Sequence, residues 1–360
     1  MRCTQGYHFL FAMNSRPNST VSENDTTGFS VTIKDNVHSS LVMIAWFVIS
    51  SAVLTNLVIV VTFLCKIRAR WPPFTWFVFS LSICDFTVGT ACVPILMAES
   101  FEVFNDYFTC MPFFFVFFLA QLASLYHVMG ICFHRSWKIK SVLIQNRNQS
   151  KRFPLILSTV SWSLSCVICF IPFYVWRNEN KPLKACVVDE LFTKEQRALG
   201  FLAIFYVIPQ LLTDMFYTVA VVRFRSELRR VLPLGPETNT VSVVDPESTT
   251  APSSSVNRQA RTQRHVQGTI GLTMLLFNMF TLPIAVVMVV EHSTGNRERN
   301  LRYIVSGMFV LNSAVNPFVY AFKIRWLRKS VREVLVECID VCRLCFTQSS
   351  DSGNNSNNGN

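Results

Sequence analysis

Two aspartates stand inside long apolar stretches of this 360-residue chain, Asp85 in Leu81-Ser82-Ile83-Cys84-Asp85 and Asp214 in Leu212-Thr213-Asp214-Met215. A charge in such a stretch is costly, so an ionisable group kept there is a functional candidate by default. Asp214 could either pair with a polar neighbour across a helix interface or face a cavity. Asp85 has company of a more specific kind. Asn56 lies in another apolar stretch, and Asn312, Ser313 and Asn316 lie in a third. Asn312 and Asn316, four residues apart, share one helix face. Pro317 has no backbone N–H, which frees the carbonyl of Ser313. The chemistry this supports is a concentration of oxygen acceptors at one depth of a helix bundle. It does not support a metalloenzyme: the six histidines are scattered, with no i, i+4 pair inside an apolar run.

The elements that must position these groups are membrane helices. The chain is 51% hydrophobic and only 15% charged, and a helix crossing a bilayer needs about 20 consecutive apolar residues. Seven stretches qualify: 40–65, 74–97, 107–137, 154–176, 199–222, 266–290 and 303–322. The expected fold is an all-α membrane protein, a seven-transmembrane helix bundle with a short amphipathic eighth helix. Basic residues collect on the cytoplasmic side. With the N-terminus outside, 22 of the 33 Lys and Arg fall on the cytoplasmic side, and the net charge of +11 resolves into +14 inside, −1 outside and −2 within spans. The excess therefore faces the inner leaflet and a cytoplasmic protein partner, not a nucleic acid.

The domain plan follows. Residues 1–39 are a polar extracellular segment with glycosylation acceptors at Asn18 and Asn24. No apolar segment before the first span has the length of a cleaved signal, so that span is expected to act as its own insertion signal. Residues 40–323 hold the seven helices, with a flexible third intracellular loop at 223–265 rich in Pro, Ser and Thr between 232 and 255. In 324–340, Leu327, Val331 and Leu335 recur at helical spacing among basic residues and Trp326, as in a helix lying on the inner leaflet. Cys338, Cys342 and Cys345 are palmitoylation candidates, and 341–360 is expected to be a disordered cytoplasmic tail. Cys110 and Arg135 are 25 residues apart, about 37 Å along a helix, so they mark opposite ends of the third span. Outside, the cysteines available to Cys110 are Cys186 and Cys3.

Together these residues resemble the rhodopsin-like (class A) G-protein-coupled receptors. The resemblance is carried by Asn56, Leu81, Asp85, Cys110, Ser124, Arg135, Trp162, Pro209, Tyr217, Phe277, Pro283 and the run Asn316-Pro317-Phe318-Val319-Tyr320, in order through seven spans. It implies a Cys110–Cys186 disulfide and a sodium pocket of Asp85, Ser124, Asn312, Ser313 and Asn316, all with oxygen-bearing side chains as a hard cation requires. No other cofactor is expected. It further implies that Arg135, Tyr217 and Tyr320 meet at the cytoplasmic end when the sixth helix swings outward about Pro283, with Pro209 permitting a kink in the fifth. The implied partners are a heterotrimeric G protein, arrestin, a receptor kinase, membrane lipid and an unknown extracellular ligand. The implied location is the plasma membrane.

Departures from the family pattern shape the expected function. The third span reads His134-Arg135-Ser136 where an acidic residue usually precedes the arginine, and Gln263 stands where the sixth helix often carries an acid. Arg135 so lacks both usual carboxylate restraints, which predicts raised basal signalling; histidine titrates near neutral pH, so His134 could make it pH-sensitive. Thr281 replaces the tryptophan that usually floors the ligand pocket, leaving Phe277 or Phe280 to relay movement. Phe117 occupies the position of the aspartate used by amine receptors, which argues against a biogenic amine. Val310 replaces the lysine that binds retinal. The pocket wall is expected from Phe113, Phe114, Phe117, Phe118 and Gln121, with Thr281 and, near the outer mouth, Arg302; such a wall suits an apolar ligand or a peptide side chain. The competing reading is a receptor-like scaffold or decoy that does not activate G proteins. A transporter would show paired charges along a pathway and internal repeats, and neither is found.

Overall fold

The structure is a computed structural model, and it describes residues 25–66, 73–101, 106–143, 152–176, 183, 186–193, 195–231, 254–296 and 298–354. Asn18 and Asn24 lie outside these, as does 232–253 of the third intracellular loop. The chain divides into two units, Met1–Ser40 and Leu41–Asn360; the second holds the bundle. The helices among the described residues are α1 (Asp25–Cys65), α2 (Pro73–Phe101), α3 (Tyr107–Leu143), α4 (Arg152–Phe170), the short α5 (Val188–Leu191), α6 (Ile208–Val231), α7 (Ser254–Thr294), α8 (Arg299–Lys323) and α9 (Arg325–Asn354). Seven are long and apolar enough to cross a membrane, with spans at Ser39–Cys65, Thr75–Ala98, Tyr107–His134, Phe153–Val175, Gly200–Glu227, Gln267–Thr294 and Asn300–Lys323. The all-helical bundle with an eighth helix is as expected from hydropathy.

α3 is the central strut. It packs on α2, α4 and α6, and Phe118, Leu122 and Tyr126 on it are buried among aromatic rings from its neighbours. Phe118 alone meets Phe173, Phe201 and Phe205 at 5.9, 5.0 and 5.0 Å between centroids. By contrast, Leu155, Val167, Leu211 and Leu282 are strongly exposed, which is how a helix presents apolar side chains to lipid.

Prolines set the irregular points. Pro209 is the second residue of α6, two positions after a π-helical stretch, Gln196–Val207, and a second π-turn at Ile171–Val175 contains Pro172. A missing N–H shifts the hydrogen-bond register upstream, and π-turns inside helices are a recurrent result. Gly200 sits in the first of these stretches against Trp176: a Cβ there would collide with the indole ring.

Three boundaries differ from the plan read in the sequence. α6 continues to Val231 and α7 is helical from Ser254, so helix extends into both ends of 223–265. α9 runs to Asn354 instead of ending near 340, and no Pro or Gly interrupts 325–352. The inward stripe of α9 is Leu327, Val331 and Val334, while Leu335 is 44% exposed beside Val336 and Ile339. A period of 3.6 residues carries the stripe to position 334 after two turns.

Candidate functional site

Asp85 is buried on α2 and bonded from two other helices: Asn316 Nδ2 donates to Oδ2 at 2.8 Å and Ser124 Oγ to Oδ1 at 3.4 Å. The five residues that the family resemblance groups, Asp85, Ser124, Asn312, Ser313 and Asn316, are all between 0% and 4% exposed. The carbonyl that Pro317 frees has found its partner, since Asn56 Nδ2 donates to Ser313 O at 2.9 Å and to Ala52 O at 2.9 Å. One asparagine thus joins α1 to the proline break in α8. Asn312 Nδ2, Ser313 Oγ, Ser82 Oγ and Asn56 Oδ1 have no hydrogen-bond partner among the described residues. Buried polar atoms are rarely left this way unless water or an ion completes them. Uncommitted buried oxygens of Ser313 and Asn56 fit a hard cation or ordered water.

A second polar chain was not singled out from sequence. Trp162 Nε1 donates to Ser80 Oγ at 3.3 Å, Ser80 donates to His127 Nε2 at 2.7 Å, and His127 Nδ1 donates to Ala123 O at 2.6 Å. The facing carbonyl requires the proton on Nδ1, which fixes the tautomer. It ties α2, α3 and α4 with every ring nitrogen satisfied. Ser80 and His127 are polar residues inside spans, so the rule that selected Asp85 would have found them.

At one end of the bundle Cys110 and Cys186 form a disulfide with Cα atoms 5.5 Å apart, which fastens the chain before α5 to the start of α3. Near it is a cavity of about 160 Å³ lined by Phe118, Arg197, Tyr206, Met288, Glu291 and Arg302 among others. Arg302 Nε donates to Glu291 at 2.7 and 2.9 Å, with Nη2 on the same carboxylate. Arg197, unremarked in the sequence, is 8% exposed and donates to Phe192 O at 2.8 Å.

A second cavity, about 270 Å³, is lined by Phe118, Gln121, Phe277, Asn278, Thr281 and Asp214 among others. Thr281 spends its hydroxyl on its own helix, donating to Phe277 O at 2.8 Å. Of the expected ligand wall, Phe118, Gln121, Thr281 and Arg302 line one cavity or both. Phe113, Phe114 and Phe117 line neither. Phe117 packs instead on Phe118 and Phe309, at 5.2 and 6.0 Å, because a run of phenylalanines on a central helix buries most of its rings in packing.

At the opposite end, Tyr320 is 3% exposed in a cluster with Ile131, Cys132 and Met274, against which Tyr217 packs. Tyr217 can approach α7 because residue 271 is glycine; a Cβ there would strike its hydroxyl. His134 lies between Phe153 and Phe77, at 5.0 and 6.0 Å between centroids. Arg135 is in α3, but its side chain, like that of Gln263, lies outside the described residues. Lys66 Nζ donates to Glu337 Oε1 at 2.8 Å, linking α1 to α9; this bond holds the lysine above its ordinary pKa. Cys338 is exposed on α9, and the side chains of Cys342 and Cys345 are outside the described residues.

The described helices form a membrane bundle stapled at one end, where Cys110 and Cys186 sit among aromatic rings, and polar at its centre. Residues 55–320 match the family described as 7 transmembrane receptor (rhodopsin family), and the chain belongs to that family of G-protein-coupled receptors. Similar proteins include trace amine-associated receptor 1 of Mus musculus, 22% identical over 83% of this chain and 90% of the relative. Trace amine-associated receptor 8b of Rattus norvegicus is 25% identical over 82% and 86%, and adenosine receptor A3 of Ovis aries is 19% identical over 73% and 80%.

Proposed function

We propose that this receptor activates heterotrimeric G proteins at the plasma membrane, with its N-terminus outside and its C-terminus in the cytoplasm. The orientation is supported by the +14 charge of the inner connections against −1 outside. The observation that carries the reading is the bonded Asp85, Ser124 and Asn316 cluster, which joins three helices one residue before the Pro317 break. A static anchor has no use for a buried carboxylate at a hinge. A sodium ion held by Asp85, Ser124, Asn312, Ser313 and Asn316 belongs to this reading, supported by the unpartnered Ser313 oxygen. When bound, the ion neutralises Asp85; the residues themselves orient α2, α3 and α8 about one point.

The extracellular ligand is not a biogenic amine held in the usual manner, since Phe117 is packed on Phe118 and Phe309 where an ammonium would need a carboxylate. Basal signalling is raised because His134 brings no negative charge to Arg135 and its ring rests on Phe77 and Phe153. Arrestin and a receptor kinase are the expected regulators, with palmitoyl chains on Cys338, Cys342 or Cys345 and glycans on Asn18 and Asn24. The altered His134-Arg135-Ser136 sequence also favours a second reading, a scaffold or decoy that activates no G protein. A panel of G-protein activation sensors, run without ligand on wild type and Arg135→Ala, separates the two. Basal output that the substitution abolishes supports the receptor and gives its subtype, whereas silence across the panel supports the scaffold.

A further inference from the structure

The 270 Å³ cavity is the place where Asp214 resides, and its chemistry is incomplete. Asp214 Oδ1 accepts from Gln210 Nε2 at 3.1 Å and from Asn278 Nδ2 at 3.2 Å. Gln210 Nε2 also donates to Asn278 Oδ1 at 2.8 Å, and Asn278 Nδ2 to Met274 O at 3.1 Å. Among the described residues nothing donates to Asp214 Oδ2, and no cation pairs with the carboxylate. Facing the same space from α3, Gln121 is only 7% exposed and its Nε2 has no partner; Gln210 Oε1 is also buried and unpartnered. One volume therefore holds an unneutralised carboxylate, a vacant acceptor and a vacant donor. Each is expensive inside a membrane, and each is satisfied by a complementary group.

Apart from Tyr206 and Thr281, whose hydroxyl is already bonded to Phe277 O, the rest of the lining is apolar. Three of its residues, Val207, Leu211 and Leu282, are 41%, 64% and 62% exposed. They lie within the fifth and sixth spans, so their exposed surface is lipid-facing, and the cavity opens toward the hydrocarbon between α6 and α7. Thr281, small where the family carries an indole, leaves the space.

We propose that this cavity binds a long-chain amino alcohol drawn from the bilayer. Its protonated amine donates to Asp214 Oδ2 and Gln210 Oε1, its hydroxyl oxygen accepts from Gln121 Nε2, and its chain lies along the opening between α6 and α7. Such a ligand differs from a biogenic amine in its lipid route and in using a fifth-helix carboxylate instead of a third-helix one. The site goes beyond the proposed signalling role and does not require it, because occupancy is read without a G protein.

The test is equilibrium binding, and the association time course, of tritiated 2-aminododecan-1-ol on the full-length receptor in phosphatidylcholine nanodiscs, with empty discs as background. Binding is expected to be saturable. As competitors, 1,2-dodecanediol should be weaker by about thirtyfold or more for lack of the charge, and dodecylamine by about fivefold for lack of the hydroxyl. Asp214→Asn should cost about thirtyfold or more, and Gln121→Leu should erase the preference over dodecylamine. Leu211→Trp leaves the polar cluster intact and should slow association severalfold, so the proposal does not hang on whether Asp214→Asn folds. It is overturned by an absence of saturable binding, by a diol that competes as well as the amino alcohol, or by unchanged association in Leu211→Trp.

Discussion

Single residues in this bundle do work that their isolated chemistry announces. Asn56 closes the one carbonyl that Pro317 leaves open, so Asn56→Ala should lower thermal stability in nanodiscs by about 1–2 kcal/mol, the cost of a buried acceptor without a donor. Asn56→Asp, which cannot donate when ionised, should not restore it. Asp85→Asn keeps the shape but removes the charge: the melting temperature of wild type should rise with sodium chloride relative to choline chloride, and that difference should vanish in the variant. Lys66 illustrates the opposite case. Its bond to Glu337 raises its pKa, so whatever stability it contributes is complete below the ordinary lysine pKa and lost only as pH climbs through the raised one. At neutral pH this exposed pair leaves no pH signature, and Lys66→Ala should change melting little.

Elements, rather than residues, decide how α6 and α7 meet. Gly271 is the notch that admits Tyr217, and Gly271→Ala should turn the tyrosine away at a cost below about 1 kcal/mol, because the far end of a flexible side chain can move. Its effect is expected in basal G-protein output, measured beside surface expression. Gly200 stands under a rigid indole instead, so Gly200→Ala should lower surface expression where Gly271→Ala does not. The disulfide spans 76 residues, and Cys110→Ser should destabilise the fold by up to about 4 kcal/mol through the loop it releases, read as lost surface expression and melting.

For the whole molecule, the charge asymmetry and the third-helix arginine set the expected output. His134→Asp should lower basal second-messenger production by giving Arg135 a carboxylate neighbour; equal output in variant and wild type would sink the link. His134 packs on rings from α2 and α4, so a fall should appear without a large change in melting.

Hydropathy alone gave seven spans and an all-helical bundle, because a bilayer admits few alternatives for an apolar run of that length. The family resemblance went further and grouped Asp85, Ser124, Asn312, Ser313 and Asn316, of which spacing by itself joins Asn312 and Asn316 on one helix face. Packing was beyond its reach. Nothing in the order of residues separates a phenylalanine that walls a cavity, Phe118, from one spent on its neighbours, Phe117, because the difference lies in how helices rotate against each other. The same holds for Asp214: Gln210 is one turn away on its own helix, but the bond to Asn278 and the place in a cavity arise only where α6 and α7 come together.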